Sequence, residues 1–216
     1  MMRYINIHTH HFSKKDGVFL FNNRFGVDKE LYTKSYFSVG IHPWDADLEF
    51  SKIEFENYLS HQNCIAIGEC GIDKLKGADL DFQKTIFKFQ LNLAVKYKKP
   101  VIIHCVKAFD EIIEICEPFQ SKIPFIIHGF NKSEQLAKQL IDKGFYISFG
   151  YVIFKKNDFN FNAICLDNLF LETDNDDKLT IKEIYNVCAL RFKISENDLK
   201  EKIYSNFTNL FIKNGR

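Results

Sequence analysis

Eight side chains that can bind a metal ion or move a proton stand at, or just after, the ends of short apolar runs. They are His8, His10, His42, Glu69, His104, His128, Glu172 and Asp174. Imidazoles suit transition metals such as zinc, and carboxylates suit magnesium and manganese as well. The histidines and carboxylates are too many for one tetrahedral ion. We therefore predict two divalent metal ions (Mg²⁺, Mn²⁺ or Zn²⁺), roughly 3.5–4 Å apart and bridged by Glu69, which is the chemistry of hydrolysis.

The spacing of these residues indicates which of them can share an ion. His8 and His10 are two positions apart, so on a strand both face one side while His11 faces the other. We therefore expect His8 and His10 to share one metal and His11 to take no part. Glu172 and Asp174 share a face by the same rule.

Short β-prone runs precede these polar residues along the whole chain. Several are nearly continuously apolar, as is typical of parallel strands buried on both faces. Eight strands are predicted, at residues 3–8, 18–21, 36–41, 64–68, 101–104, 124–128, 145–149 and 169–173.

Helical patterns separate most of the predicted strands. They cover residues 50–59, 80–97, 133–143, 181–191 and 197–212. This alternation predicts an α/β fold of one domain, residues 1–216, and eight strands favour a (β/α)₈ TIM barrel with its chemistry at the C-terminal strand ends. Only residues 12–17 separate the first two strands, too few for a crossover helix. We expect a short, somewhat distorted barrel that lacks its first crossover helix; an open doubly wound sheet is the alternative.

The charge balance excludes one mode of nucleic-acid binding. The chain has 29 Lys and Arg against 28 Asp and Glu, for a net charge of +1. A protein that holds DNA by general electrostatics is usually more basic. An anionic substrate must therefore be held locally, by metal or by a few side chains.

The six cysteines form no C-x-x-C pair. The first residues do not resemble a signal peptide, and no run of eighteen apolar residues occurs. We therefore expect reduced thiols, a cytoplasmic location, no membrane contact and no obligate protein partner. Cys70 and Cys105 directly follow two of the polar strand ends, and strand alternation turns these thiols away from the site.

At this point the residues resemble a known family, the TatD-type metal-dependent deoxyribonucleases, which belong to the amidohydrolase-like TIM-barrel hydrolases. Matching segments run in order over nearly the whole chain. They are HTH at 8–10, GIHP at 40–43, IGECGID at 67–73, a glutamine-containing helix at 83–94, PVIIH at 100–104, IHGF at 127–130, ETD at 172–174, and Asn206 with Leu210 and Phe211.

The resemblance implies a role for each matched position. One metal would be held by His8, His10 and Asp174, the second by His104 and His128, and Glu69 would bridge them. Asp174 would also accept a proton from the attacking water. Of the two other matched residues, His42 would contact the substrate phosphate and Glu172 would orient neighbouring groups. Family members cleave nucleic acid, often from the 3′ end of DNA, with magnesium or another divalent ion.

Some positions depart from the family pattern. Asn6 replaces the first acidic residue of D-x-H-x-H, and the arginine of H-x-R-x-A is absent, with Lys107 next to its position. Lys132 or Arg24 could substitute for that arginine. The loop after the E-T-D motif is reduced to residues 175–179. The metal core thus matches fully, while the walls of the substrate cleft are reduced.

We therefore expect a TatD-like deoxyribonuclease that cleaves phosphodiester bonds of DNA or oligonucleotides, as a 3′–5′ exonuclease on single strands, with a metal-activated water. Phe12, Trp44 and Phe130 lie next to motif residues and could stack on bases. Two alternatives stay open. One is an amidohydrolase-type hydrolase of a small ester, lactone or amide, and the other is a non-catalytic metal-binding module.

Overall fold

A computed structural model describes residues 3–11, 17–28, 33–155, 158–161 and 164–213 of the chain. Its eight strands run parallel and hydrogen-bond in sequence order. They are β1 (Tyr4–Thr9), β2 (Gly17–Arg24), β3 (Phe37–Gly40), β4 (Cys64–Asp73), β5 (Val101–Val106), β6 (Phe125–Ile127), β7 (Phe145–Phe149) and β8 (Leu169–Leu171).

The sheet closes on itself just beyond the end of β8. The backbone N–H of Asp174 donates to the carbonyl of His8 (3.0 Å), and the carbonyl of Asp174 accepts from the N–H of His10 (3.1 Å). These bonds form a parallel bridge between Thr9 and Asp174. The predicted (β/α)₈ barrel is therefore confirmed, and the open-sheet alternative is wrong.

Six α-helices follow strands of the barrel: α1 (Lys52–Leu59), α2 (Leu80–Tyr97), α3 (Phe109–Cys116), α4 (Glu134–Asp142), α5 (Ile181–Phe192) and α6 (Glu196–Phe207). A π-helical segment, Thr208–Lys213, follows α6. In the part of the chain that the structure describes, no helix is long and apolar enough to cross a bilayer. Residues 12–16, in the link between β1 and β2, lie outside the described ranges. The predictions of a missing first crossover helix and of base stacking by Phe12 fall on these residues.

Aromatic rings fill much of the barrel's surroundings, in line with 23 phenylalanines in the sequence. Phe125 and Phe145 pack together across β6 and β7 with ring centroids 5.5 Å apart. Tyr185 of α5 is fully buried and bonds β1 twice, donating to the carbonyl of Ile5 and accepting from its N–H, each at 3.1 Å. The aromatic layer thus fixes the helices against the strands that carry the polar ends.

Two glutamines of α2 hold the strand ends that lead into the site. Gln90 accepts from the N–H of Ile41 (2.8 Å) and donates to its carbonyl (3.0 Å). Gln83 does the same for Asp73, at 2.8 and 3.0 Å. Each buried amide therefore pairs backbone groups that no strand pairs, those of Ile41 just past β3 and those of Asp73 on the side away from its partner in β5.

Gly71 is a position of the site strand β4 at which the structure requires glycine. Gly71 has φ = +147° and pairs with His104 of β5. A Cβ at Gly71 would lie 2.1 Å from the carbonyl oxygen of His104. The close approach of β4 and β5, which brings their polar ends together, thus depends on the missing side chain.

Candidate metal centre

The C-terminal ends of the strands bring all eight predicted site residues into one cluster at the barrel mouth. Glu69 of β4 lies at its centre, nearly buried, with five imidazoles around its carboxylate. His8 and His10 approach from the end of β1, and His104 from β5. His42, His128, Glu172 and Asp174 follow the ends of β3, β6 and β8. Strand alternation at β1 is as predicted, because His8 and His10 face the same carboxylates.

Four donor atoms surround one point beside β1. His8 Nε2 lies 3.4 Å from Glu69 Oε2 and 3.3 Å from Asp174 Oδ1. His10 Nε2 lies 3.7 and 3.6 Å from the same two oxygens. Ligands about 2.1 Å from a common ion are separated by roughly 3.0–3.4 Å in octahedral or tetrahedral geometry. The four atoms are therefore spaced as an ion's ligands rather than as hydrogen-bond partners.

The other carboxylate oxygen of Glu69 faces the opposite side of the mouth. Oε1 lies 2.6 Å from His104 Nδ1 and 2.7 Å from His128 Nε2, and these two nitrogens are 3.5 Å apart. Glu69 thus presents one oxygen to each of two groups of imidazoles. This is the arrangement that a bridging carboxylate needs, although the contacts of Oε1 have hydrogen-bond lengths.

The outer nitrogens of both of these histidines also face carboxylates. His104 Nε2 lies 3.2 Å from Asp73 Oδ2, which accepts the indole N–H of Trp44 at 2.8 Å. His128 Nδ1 lies 3.2 Å from Glu172 Oε1. A ring N–H bonded to an outer carboxylate leaves the inner nitrogen with its lone pair free for a metal.

Glu172 is itself held by the backbone that follows β6. It is fully buried, and its Oε1 accepts the N–H of Gly129 at 2.8 Å. Its other oxygen, Oε2, is buried without a hydrogen-bond partner. The structure therefore places Glu172 behind His128, away from the centre of the mouth.

His42 differs from the other imidazoles because its proton position follows from a backbone contact. His42 Nδ1 accepts the N–H of Trp44 at 3.2 Å, and Nε2 lies 3.3 Å from Glu69 Oε1. Burial lowers the pKa of His42, so the ring is neutral at pH 7. A neutral ring that accepts at Nδ1 carries its proton on Nε2. His42 thus points a donor, not a lone pair, into the mouth.

The two inner carboxylates are charged. Burial raises the pKa of Glu69, but the neighbouring imidazoles, His128 foremost, hold it well below its usual range. Burial also raises the pKa of Asp174, and the neighbouring imidazole of His8 outweighs this effect, bringing this pKa to about 2. Two negative charges therefore stand at the centre of the mouth at neutral pH.

These charges make the mouth a cation site. Burial and His128 lower the pKa of His8, but Asp174 and Glu69 together raise it to about 9. Burial lowers the pKa of His128 too, and Glu69 and Glu172 raise it well above its usual range. Carboxylates that draw a proton onto an imidazole draw a metal cation there for the same Coulombic reason.

A second, independent observation also indicates that these donor atoms fit divalent metal ions. Both ring nitrogens of His8 are buried without a hydrogen-bond partner. Burying a polar atom in this way is costly unless something binds it. Among the residues that the structure describes, three overlapping groups could each hold an ion: His8, His10 and Glu69; His8, His128 and Asp174; and His42, Glu69 and His104.

Asn6 takes over a structural task at the position where the resemblance expects an acid. Its amide donates to Thr173 Oγ1 (2.8 Å) and its carbonyl oxygen accepts the N–H of Thr173 (3.1 Å). Asp174, the next residue, has φ = +52°. Asn6 therefore fixes the unusual backbone that turns Asp174 towards His8 and His10.

Sequence reasoning missed the pairing of Asp73 with Trp44 behind His104. Asp73 lies four residues after Glu69, on the same strand face, and this spacing was the available signal. Trp44, which could stack on bases, donates its indole N–H to Asp73, and Lys76 Nζ lies 3.4 Å from its ring centroid.

The structure also describes the surroundings of Phe130, a candidate for stacking on bases, and of Arg24 and Lys132, candidates to substitute for the missing arginine. Phe130 is only 2% exposed and packs between Phe109 and Phe149, so it cannot stack on a base. Arg24 forms an ion pair with Asp45, in which Nη2 lies 2.5 Å from Oδ2. Lys132 lines a cavity of about 230 Å³ whose walls include His104, His128 and Asp174.

No cysteine belongs to the candidate metal groups of the described residues, although Cys105 lines the cavity beside His104. All six are in the described ranges and are free thiols. Burial raises the pKa of Cys70, and raises that of Cys105 to about 12. Both thiols are therefore protonated and unreactive at neutral pH.

Comparison with known proteins relates the fold and the cluster to one family. The sequence profile described as TatD related DNase matches residues 21–212. An uncharacterized metal-dependent hydrolase of Buchnera aphidicola is 32% identical over 170 residues, which are 71% of this chain and 64% of the relative. The 3′-5′ ssDNA/RNA exonuclease TatD of Cronobacter turicensis is 30% identical over 152 residues, 66% of this chain and 58% of the relative. The chain thus spans less than two thirds of the length of these relatives.

Solved structures agree with the barrel. A TatD homolog from Escherichia coli superimposes with a TM-score of 0.78 at 21% identity, covering 97% of this chain and 98% of that one. A hydrolase TatD family protein from Entamoeba histolytica gives 0.76 at 16% identity, covering 98% of both chains. At these identities the likeness shows the fold alone.

Proposed function

Because this chain belongs to the TatD related DNase family, we propose that it is a metal-dependent hydrolase that cleaves phosphodiester bonds of single-stranded DNA from the 3′ end. The observation that carries the proposal is the buried Glu69 carboxylate, with one oxygen facing His8 and His10 and the other facing His104 and His128. The name of the Cronobacter relative supports the 3′–5′ direction and the single-stranded substrate.

We assign His8, His10 and Asp174 to one divalent ion, His104 and His128 to a second, and Glu69 to both. The spacing of 3.3–3.7 Å among the donor atoms of the first group supports this division. The Nε2 proton of His42 argues against its being a ligand, even though it lies near Glu69. Ions bound there would supply Lewis-acid chemistry, lowering the pKa of water and neutralising charge on a phosphate.

The remaining steps belong to side chains of this protein. Asp174 accepts the proton of the attacking water, because its carboxylate is ionised and its side chain is 44% exposed to the mouth. His42 donates a hydrogen bond from its Nε2–H to a phosphate oxygen and keeps its proton. Glu172 and Asp73 keep His128 and His104 in the tautomers that leave their inner nitrogens free. We further propose that residues 1–216 act as one domain, in the cytoplasm, with no obligate protein partner.

The test is cleavage of a 5′-labelled single-stranded oligonucleotide with Mg²⁺, Mn²⁺ or Zn²⁺. Wild type should give a ladder that shortens from the 3′ end. Glu69→Gln removes the central charge but keeps the side chain's size, so activity should fall by more than the roughly 10–100-fold that loss of an outer-shell partner costs. Metal content, measured in parallel, should fall with it.

Glu114→Gln is the matched control, since Glu114 lies exposed on α3 and this exchange removes the same charge far from the mouth. It should leave both the ladder and the metal content unchanged. Absence of cleavage with every ion, in wild-type protein shown to carry metal, would refute the nuclease. Full activity in Glu69→Gln would refute the assigned site.

A further inference from the structure

A second cavity adjoins the metal centre at the barrel mouth. It has a volume of about 450 Å³ and lies between the segments that follow β6 and β7. Asn131 and Lys132 line this cavity and also line the smaller cavity that contains His104, His128 and Asp174. The two cavities therefore lie side by side, with Asn131 and Lys132 in the lining of both.

Both walls of this cavity are tied to the site through Glu172. Gly129 N donates to Glu172 Oε1, and Lys132 follows three residues later. On the other wall, a Cβ on Gly150 would lie 3.4 Å from Glu172 Cγ, and Tyr151 and Lys155 follow it. The cavity's position relative to the metal ligands is thus fixed by a buried side chain rather than by long loops.

The chemistry of the lining suits a nucleotide. Lys132 and Lys155 provide two cations, and the side chains of Asn131 and Gln135 provide amides that can pair with base edges. Phe159 supplies an aromatic face on which a base can stack. Of the acidic residues in the lining, Glu134 is engaged, since its carboxylate accepts the N–H of Asn160 at 2.7 Å. Asp158 is exposed.

The volume and openness of the cavity also suit a strand that continues. Small-ligand sites typically enclose about 300–1,000 Å³, and this cavity lies within that range. Ser133, Gln135 and Lys155 in its wall are exposed to solvent. A bound nucleotide could therefore carry further nucleotides outward, which a closed pit would forbid.

Resting on the nuclease function proposed above, we propose that this cavity binds the nucleotide on the polymer side of the scissile bond. Lys132, at the junction of the two cavities, binds a phosphate of the strand, and Lys155 binds the next one outward. Lysine here takes the place of the arginine that the sequence lacks after β5. Lysine binds phosphate as a point charge rather than as a bidentate fork.

The experiment compares two substrates in Lys132→Ala, Lys155→Ala and the double variant. Bis(p-nitrophenyl) phosphate needs only the metal centre, whereas a single-stranded decanucleotide also needs the cavity. We expect the double variant to raise KM for the decanucleotide about tenfold and to change kcat/KM for the small diester less than twofold. Each lost phosphate contact should also reduce the slope of log kcat/KM against log salt by about 0.7 for a single strand.

Lys138→Ala is the matched control, because Lys138 is an exposed lysine of α4, the helix that begins two residues after Lys132. It should behave as wild type on both substrates. An equal loss on both substrates in the double variant would overturn the proposal by placing the lysines at the metal centre itself. An unchanged KM for the decanucleotide would overturn it directly.

Binding separates this subsite from the nuclease function. Fluorescence anisotropy of a labelled decanucleotide, measured in EDTA, requires no catalysis. If wild type cleaves neither substrate but binds the strand at least fivefold more tightly than the double variant does, the nuclease fails and the subsite stands. Equal binding by the two proteins would refute the subsite whatever the activity.

Discussion

Single residues behind the histidines of the cluster set which ring nitrogen carries the proton. His104 has a carboxylate on each side, Glu69 towards the mouth and Asp73 behind. Trp44 and the backbone N–H groups of Leu75 and Lys76 all donate to Asp73. The Asp73 carboxylate acts as an acceptor in all of these contacts. It therefore fixes the proton of His104 on the outer nitrogen, Nε2.

Asp73→Asn tests this orientation. An amide can satisfy Leu75 and Lys76 with its oxygen, but it then turns its NH₂ towards His104 Nε2. That nitrogen must accept, so the ring proton moves to the metal-facing Nδ1. Metal affinity should fall about 10–100-fold, as it does when outer-shell partners are lost. Calorimetric metal titration measures the affinity, and ¹⁵N NMR of His104 reports the tautomer.

Trp44→Phe provides the companion variant. It removes the indole N–H and keeps an aromatic ring beside Lys76, so Asp73 stays an acceptor for His104. The loss of affinity should be smaller than in Asp73→Asn, and the His104 tautomer should stay unchanged. Equal affinities for Asp73→Asn and wild type would show that Asp73 does not orient His104.

At the scale of elements, the positions of the strands could be predicted from the sequence, but not all of their lengths or connections. Parallel strands buried on both faces give nearly continuous apolar runs, and all eight predicted runs hold a strand. β4 extends to Asp73, five residues beyond the prediction, because Gly71 and Asp73 interrupt the apolar pattern that marks a buried strand. The α3 helix was missed, since its eight residues include three isoleucines, which favour strands.

The site could be predicted as a set of residues but not as a set of contacts. Strand alternation brings His8 with His10, and strand ends collect the rest, so no coordinates were needed to place them together. Trp44, Asp73 and His104 come from three separate strand ends, and nothing local in the sequence joins them. The position of Phe130 next to a motif likewise did not predict its burial, because Phe130 faces the core.

Gly71→Ala tests the approach of β4 to β5. Both the positive φ and the 2.1 Å contact with the His104 carbonyl oppose a side chain. Unfavourable backbone conformation alone costs about 1–3 kcal/mol, and the clash adds to it, so we expect a loss of more than about 3 kcal/mol in the free energy of unfolding. Urea unfolding measures it.

Gly144→Ala separates the two causes. Gly144 also has a positive φ, +83°, but nothing lies within 4 Å of its missing Cβ. This substitution should therefore cost only about 1 kcal/mol. Similar losses for the two variants would show that β5 yields to a side chain at Gly71.

At the scale of the whole molecule, the barrel closes at its metal centre. The bridge between Thr9 and Asp174 joins the first strand to the segment after the last one, and it lies between the proposed ligands His8, His10 and Asp174. Glu69 reaches the same point from the opposite side of the barrel. An ion bound there would tie three separate parts of the fold together, so metal binding and closure of the barrel should stabilise each other.

Metal removal tests this coupling. An ion present at 100 times its Kd adds about 2.7 kcal/mol to the free energy of unfolding, if it binds only the folded chain. For a chain of this length that corresponds to a rise in Tm of about 5–10 °C. Scanning calorimetry with Mn²⁺ and with EDTA measures the shift. Glu69→Gln should abolish it, and an equal shift in that variant would place the stabilising ion elsewhere.

The closing bridge also sets the order in which the proposed metal site can form during synthesis. Asp174 is added 164 positions after His10, so His8 and His10 leave the ribosome before it. A nascent chain without Asp174 can neither form this bridge nor complete the first group of proposed ligands, however well its other strands have formed. A chain whose translation stops before Asp174 is therefore released without the complete proposed site.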